Sequence, residues 1–165
     1  MPIIKLQTYI KANRNIVFDL SRSIDLQSEY VTDSNEKAVA GRTSGLIELG
    51  ETVTYRGRHL GVRQHLTSRV TELDRPQFFV DEMEKGAFKS LRHEHHFVAT
   101  GEGTIMKDGF DFESPLGILG KLANTLVLKS YMTNFLKNRN KVIKEFAESG
   151  RWKEVLPENE ALYGS

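Results

Sequence analysis

The sequence contains no cysteine. Disulfides, thiolate catalysis and cysteine-ligated zinc are thereby excluded. Neither sign of charge is in excess: 23 Lys+Arg against 22 Asp+Glu leave a formal net charge of +1. Nothing in that balance calls for nucleic acid or an anionic membrane as an obligatory partner. No apolar run approaches the roughly 20 residues needed to span a bilayer, so stable membrane insertion is not expected. The stretch MPIIKLQTYIKANRN is broken by lysine too early for a secretory core, which points to the cytoplasm. Only four prolines occur, so chain reversal falls mainly to the 13 glycines. What is present is ordinary for a soluble fold: 39% apolar and 27% charged over 165 residues, enough for one hydrophobic core. The expected organisation is one domain over residues 1–150 and a tail over 151–165.

Ile4, Leu6 and Ile10 alternate with Lys5 and Gln7, the pattern of a strand with one buried side. Asn13 stands at an N-cap position before Ile16, Val17, Phe18 and Leu20, so a short helix runs to about Arg22. A second short helix is expected from Asp25, its cap, to Val31. From Ala38 to Phe112 glycine punctuates a series of apolar alternations. Strands are expected near Ala38–Leu49, Glu51–Arg58, Val62–Leu73, Gln77–Glu84, Phe88–Thr100 and Thr104–Glu113, with a turn at Asp74-Arg75-Pro76.

The C-terminal third is helical. Leu128, Tyr131, Met132, Phe135, Val142, Ile143 and Phe146 form one stripe at 100° per residue, and Gly150 is placed to end the helix. Leu116, Leu119, Leu122, Ala123 and Leu126 lie on nearly the opposite side, so Leu116–Val127 is expected to join the helix imperfectly and to border a cavity mouth. Lys129, Lys137, Arg139, Lys141 and Lys144 are assigned to its solvated side. Trp152, Val155 and Leu156 are the only anchors read in the tail. The fold class is α+β: a curved seven-stranded antiparallel sheet, two short helices after strand 1, and a long C-terminal helix covering the concave face.

The chemistry concentrates in residues 84–120. A type II′ turn with Gly101 and Glu102 at its tip sets Phe97 opposite Met106, His95 opposite Asp108, His93 opposite Phe110 and Leu91 opposite Phe112, all on one face. Opposed Cβ atoms lie about 5 Å apart, so a His95–Asp108 hydrogen bond is within reach. Such a pair is either an oriented acid–base couple or a structural polar pair in a partly wet interior. His93 and His95 share a face and can chelate, but no third ligand apart from Asp108 is specified, so no metal is assigned. His59 and His65 fall on different strands, at the surface or in local hydrogen bonds. Gly117 and Gly120 lack the lysine of a phosphate loop.

With these elements in order, the chain resembles the START-like helix-grip superfamily (SRPBCC), which includes polyketide cyclase/dehydrase-like and pollen-allergen-like proteins. The residues that carry the resemblance are Gly86-Ala87-Phe88, Leu91-x-His93-x-His95-x-Phe97, and Gly103-Thr104…Asp108…Phe112…Pro115-Leu116-Gly117. They are similar to a bacterial subgroup labelled ligand-binding or cell-division-inhibitor-related, in which an aromatic residue, often tryptophan, stands where this chain has Leu91. The resemblance implies a cavity between sheet and long helix that takes apolar small molecules or lipids. It supplies no catalytic set and no cofactor. The leading reading is therefore a non-catalytic binding protein for an apolar or amphipathic small molecule or lipid. Its lining is expected from Leu91, His93, His95, Phe97, Met106, Asp108, Phe110 and Phe112 on the sheet, and Leu119, Leu128, Met132 and Phe135 on the helical side. The alternatives are an enzyme of cyclase, dehydratase or hydrolase type using His95, Asp108 and His93, and an interaction module presenting Leu116–Leu126. A homodimer is compatible with each.

Overall fold

A computed structural model describes residues 2–29, 34–114 and 124–164. The element order is β1 (Ile3–Ile10), α1 (Arg14–Ser21), α2 (Ile24–Gln27), β2 (Lys37–Gly41), β3 (Thr52–His59), β4 (Val62–Asp74), β5 (Phe78–Lys85), β6 (Ser90–Ala99), β7 (Thr104–Glu113), α3 (Thr125–Ser149), a 3₁₀ turn (Arg151–Glu154) and α4 (Glu160–Tyr163). The seven strands form one sheet in the order β1-β7-β6-β5-β4-β3-β2, every pair antiparallel. Register shifts at Ala38/Ala40, Thr67/Ser68 and Val70/Glu72 mark irregularities of the bulge kind, which bend strands and sharpen their twist. The apolar inner face turns towards α3, as the layer rule requires.

Local chemistry explains most element ends. Asn13 caps α1 by accepting from the Asn15 N–H at 2.7 Å. α2 differs from expectation. Its cap is Ser23, whose hydroxyl accepts from the Leu26 N–H at 3.2 Å, while the Asp25 carboxylate reaches across to the Gly45 N–H at 3.0 Å. β2 is also shorter than expected and stops at Gly41. That residue has φ +70, and a Cβ there would lie 2.3 Å from the Thr52 carbonyl oxygen, so no side chain fits the strand's exit.

The β6–β7 hairpin has the expected register, with Phe97, His95, His93 and Leu91 facing Met106, Asp108, Phe110 and Phe112. The turn itself is not type II′. Gly101 lacks the positive φ that turn requires, and the Gly103 N–H is held by the Thr100 hydroxyl at 3.0 Å. The turn differs in form without slipping the ladder.

α3 covers 25 residues and ends at Gly150, which takes φ +81. Its buried positions are Leu128, Leu136, Arg139, Asn140, Ile143, Phe146 and Ala147. Arg139 is thus 5% exposed rather than solvated, while Lys129, Lys137 and Lys141 do face solvent. Leu126, opposite the stripe, is 79% exposed. The expected join from Leu116 to Ala123 lies outside the described residues.

The C-terminal residues are more firmly attached than the composition of the tail implied. Tyr163 is buried, belongs to the core cluster of Ile10, Phe18, Phe97, Met106 and Phe146, and donates its hydroxyl to Asp19 Oδ2 at 2.7 Å. Asp19 also takes Arg22 Nε at 2.8 Å and Arg75 Nη2 at 2.6 Å. Burial alone would raise the pKa of this carboxyl, but the bonds from Arg75 and Tyr163 and the charge of Arg22 hold it below the usual range.

Candidate functional site

β5, β6 and β7 bring two imidazoles and two carboxylates to the same inner face. Asp81 stands opposite His93 across β5–β6, and His95 stands opposite Asp108 across β6–β7. The hydrogen bonds run diagonally to that register. His93 Nε2 bonds Asp108 Oδ1 at 2.8 Å, and His95 Nε2 bonds Asp81 Oδ2 at 2.7 Å. The expected His95–Asp108 hydrogen bond is not made, since His95 Nδ1 stays 3.6 Å from Asp108 Oδ1. The cause is aromatic packing. The His95 ring stacks on Phe79, its opposite on β5, with centroids 4.1 Å apart and planes 15° from parallel. That leans it away from β7 and leaves Asp108 to His93, whose ring centroid is 3.7 Å from that of His95.

α3 closes this group from above. Arg139 Nη2 donates to His95 Nδ1 at 3.1 Å, Arg139 Nη1 donates to Asp108 Oδ1 at 3.3 Å, and Asn140 Nδ2 donates to Asp108 Oδ2 at 2.7 Å. Sequence reasoning missed Asp81, Arg139 and Asn140. The signal was present: positions 139 and 140 sit between Leu136 and Ile143 on the buried stripe, where apolar residues belong.

The electrostatics follow from depth. Burial alone would raise the Asp108 pKa, but the His93 hydrogen bond and the Arg139 charge hold it well below the usual carboxylate range. Burial pushes His95 well below its usual value, and the charge of Arg139, with that of His93 when it is protonated, adds to that. Burial pushes Asp81 up, against the pull of His93 and Arg139. His95 is therefore neutral, with its proton on Nε2 facing Asp81 and its Nδ1 lone pair accepting from Arg139.

A cavity of about 170 Å³ lies between the sheet and α3. Of the expected lining, Leu91, His93, His95, Phe110, Leu128, Met132 and Phe135 border it. Phe97 and Met106 do not: they are packed with Phe18 and Phe146 beside α1. Phe112 is fully buried against Phe88 and Phe110. Asp108 sits behind the wall and meets the cavity only through His93 and Arg139. Leu119 lies outside the described residues.

A second polar group borders the same cavity. His59 Nδ1 pairs with the Tyr131 hydroxyl at 2.7 Å, and its Nε2 with Glu36 Oε2 at 2.9 Å. His59 thus tethers β3 to α3 and is no surface histidine. His65, on β4, also borders the cavity. Tyr131 and Arg139 are eight residues apart on α3, so the two polar groups are separated by about 12 Å along the helix axis.

Asp81, His93 and His95 offer ligand atoms within 4.8 Å of one another. Both ring nitrogens of His95 are already bonded, one of them to a guanidinium, so only two of these side chains retain an unengaged ligand atom.

No protein-family model matches the chain, and no curated protein sequence matches it. Solved structures do. A START superfamily protein from Mycobacterium smegmatis superposes with a TM-score of 0.68 at 12% identity, over 89% of this chain and 97% of that one. The protein TTHA0849 from Thermus thermophilus gives 0.65 at 18%, over 86% and 97%. Ginseng major latex-like protein 151 from Panax ginseng gives 0.62 at 17%, over 88% and 97%. At these identities the likeness is one of fold, and the fold is START-like helix-grip.

Proposed function

We propose that this helix-grip protein binds one apolar or amphipathic small molecule between the sheet and α3, with the Asp81–His93–His95–Arg139 group reading the ligand's polar end. The observation that carries this is the cavity itself. A largely apolar wall with a few convergent buried polar side chains is how small-molecule sites are built. The wall comes from Leu91, Phe110, Leu128, Met132 and Phe135, and the polar group is held rigid by α3. Size narrows the class. A dry cavity of about 150 Å³ accepts benzene in another protein, so this one suits a single ring or a short chain. A long-chain lipid is larger than the space among the described residues.

Acid–base chemistry is the second reading, and the observation that favours it is the Asp108–His93 pair. An ionised, fully buried carboxylate orienting an imidazole that borders a cavity is the arrangement of a general base. In that reading His93 is the base and Asp108 a positioning residue, whereas His95 has no nitrogen to spare.

Native mass spectrometry of protein purified without detergent, before and after organic extraction, tests the binding proposal. One stoichiometric adduct, removed by extraction and missing from Leu91→Trp, is the expected result. A bare mass with nothing in the extract, and no adduct regained from a library of single-ring compounds, would overturn it.

A further inference from the structure

Arg22, Arg69 and Arg139 border the cavity, and Arg139 is bonded directly to the polar group, where a guanidinium would match a carboxylate ligand in geometry and charge. Here its donors are spent. Arg139 Nη1 gives one hydrogen bond to Asp108 Oδ1 at 3.3 Å and one to Asn140 Oδ1 at 2.8 Å. Arg139 Nη2 gives one to the Ser21 carbonyl at 3.4 Å and one to His95 Nδ1 at 3.1 Å. Four terminal N–H groups thus meet four protein acceptors, leaving only Nε–H. His95 is likewise spent, donating to Asp81 Oδ2 and accepting from Arg139.

Two atoms of the polar group remain. Asp81 Oδ1 has no hydrogen-bond partner among the described residues, and the Asp81 side chain keeps 25% of its surface accessible where it borders the cavity. His93 gives its Nε2 proton to Asp108, which as an ionised carboxylate only accepts. In the neutral imidazole Nδ1 is therefore a bare lone pair, in a side chain 8% exposed that borders the cavity and makes no other hydrogen bond among the described residues. Both unengaged atoms are acceptors. A carboxylate placed there faces the Asp81 oxygen and the His93 lone pair, and the terminal donors of Arg139 are already taken. A hydroxyl or ammonium meets two acceptors already fixed in place.

We infer that the ligand's polar end is a hydrogen-bond donor, an alcohol or an amine, held by Asp81 Oδ1 and His93 Nδ1, and that the site discriminates against carboxylic acids despite Arg139. The inference rests on the binding proposed above and specifies its chemistry. Its direction is opposite to what a buried arginine alone would suggest.

Calorimetric titration near neutral pH with three probes on one scaffold tests it: 2-phenylethanol, 2-phenylethylamine and phenylacetate. The alcohol and the amine should bind with Kd at least about tenfold lower than the carboxylate, a difference of about 1.4 kcal/mol. Asp81→Asn keeps the shape and removes the charge, so it should erase most of the amine's advantage over phenylacetate while leaving the alcohol within about threefold. His93→Phe, which keeps a ring on the wall without the lone pair, should weaken the alcohol and the amine together. Phenylacetate binding as tightly as the other two would overturn the inference and leave the binding proposal standing. Binding of none of the three would also overturn it, and the adduct measured by mass spectrometry then decides separately whether the cavity binds anything.

Discussion

Asp108→Ala is the most informative single perturbation, because one carboxylate organises the whole polar group. Its side chain is fully buried and accepts from His93 at 2.8 Å, Asn140 at 2.7 Å and Arg139 at 3.3 Å. Truncation leaves a buried guanidinium without its counter-charge and two further donors without an acceptor. Removing one partner of a buried ion pair costs about 3–5 kcal/mol, most of it the penalty of the stranded charge. An unpaired imidazole alone would cost about 1–3 kcal/mol. With an unfolding slope of about 2 kcal/mol/M in urea, the midpoint should fall by roughly 2 M. Adding Arg139→Met removes the stranded charge, so the double variant should lose less than the sum of the single losses. The pH dependence has a definite sign. Asp108's folded pKa lies below its unfolded value of about 3.9, so its contribution is full above that pH and fades as pH falls further towards the folded pKa. The stability gap between wild type and Asp108→Ala should therefore be constant near neutrality and narrow below about pH 4. A loss under about 1 kcal/mol, or strict additivity with Arg139→Met, would refute the reasoning.

Three further outcomes follow from the same structure. His95 stays neutral in the fold while the unfolded chain takes up protons near pH 6.5, so stability should decline as pH falls below about 6.5, and His95→Gln should flatten that slope in urea titrations. Tyr163→Phe deletes the donor to buried Asp19 and should cost about 1.5–3 kcal/mol by chemical denaturation, the range for hydrogen bonds to charged groups. Leu126→Ser, at an exposed position, should stay within about 0.5 kcal/mol of wild type by thermal unfolding.

The sheet was legible in the sequence because period-two alternation and glycine spacing mark its strands, and the pairing of His95 with Asp108 came from centring the β6–β7 hairpin between Gly101 and Glu102, a centre that holds although the turn is not type II′. The partner exchange did not. Opposed and diagonal residues differ by only a few ångströms in Cβ separation, and an imidazole reaches either. The choice was made by Phe79, from a third strand. Asp81 carried a usable signal, an acidic residue on the face shared by Phe79, and so did Arg139 and Asn140 within the apolar stripe of α3. Polarity hid all three, because a polar side chain is assigned to solvent until a partner is known to await it. Tyr163 stood in a polar tail with no periodicity to mark it, and its burial comes from the core cluster of Phe18 and Phe146, from Trp152 and from its bond to Asp19.

The central claim is that a small molecule occupies the space between sheet and α3. Nuclear Overhauser contacts from bound 2-phenylethanol to side-chain protons measure this most directly. The account predicts contacts to Leu91, Phe110, Leu128 and Met132 on the cavity wall. Contacts confined to exposed apolar residues such as Val39, Val62 or Val98, or none at saturating probe, would contradict it.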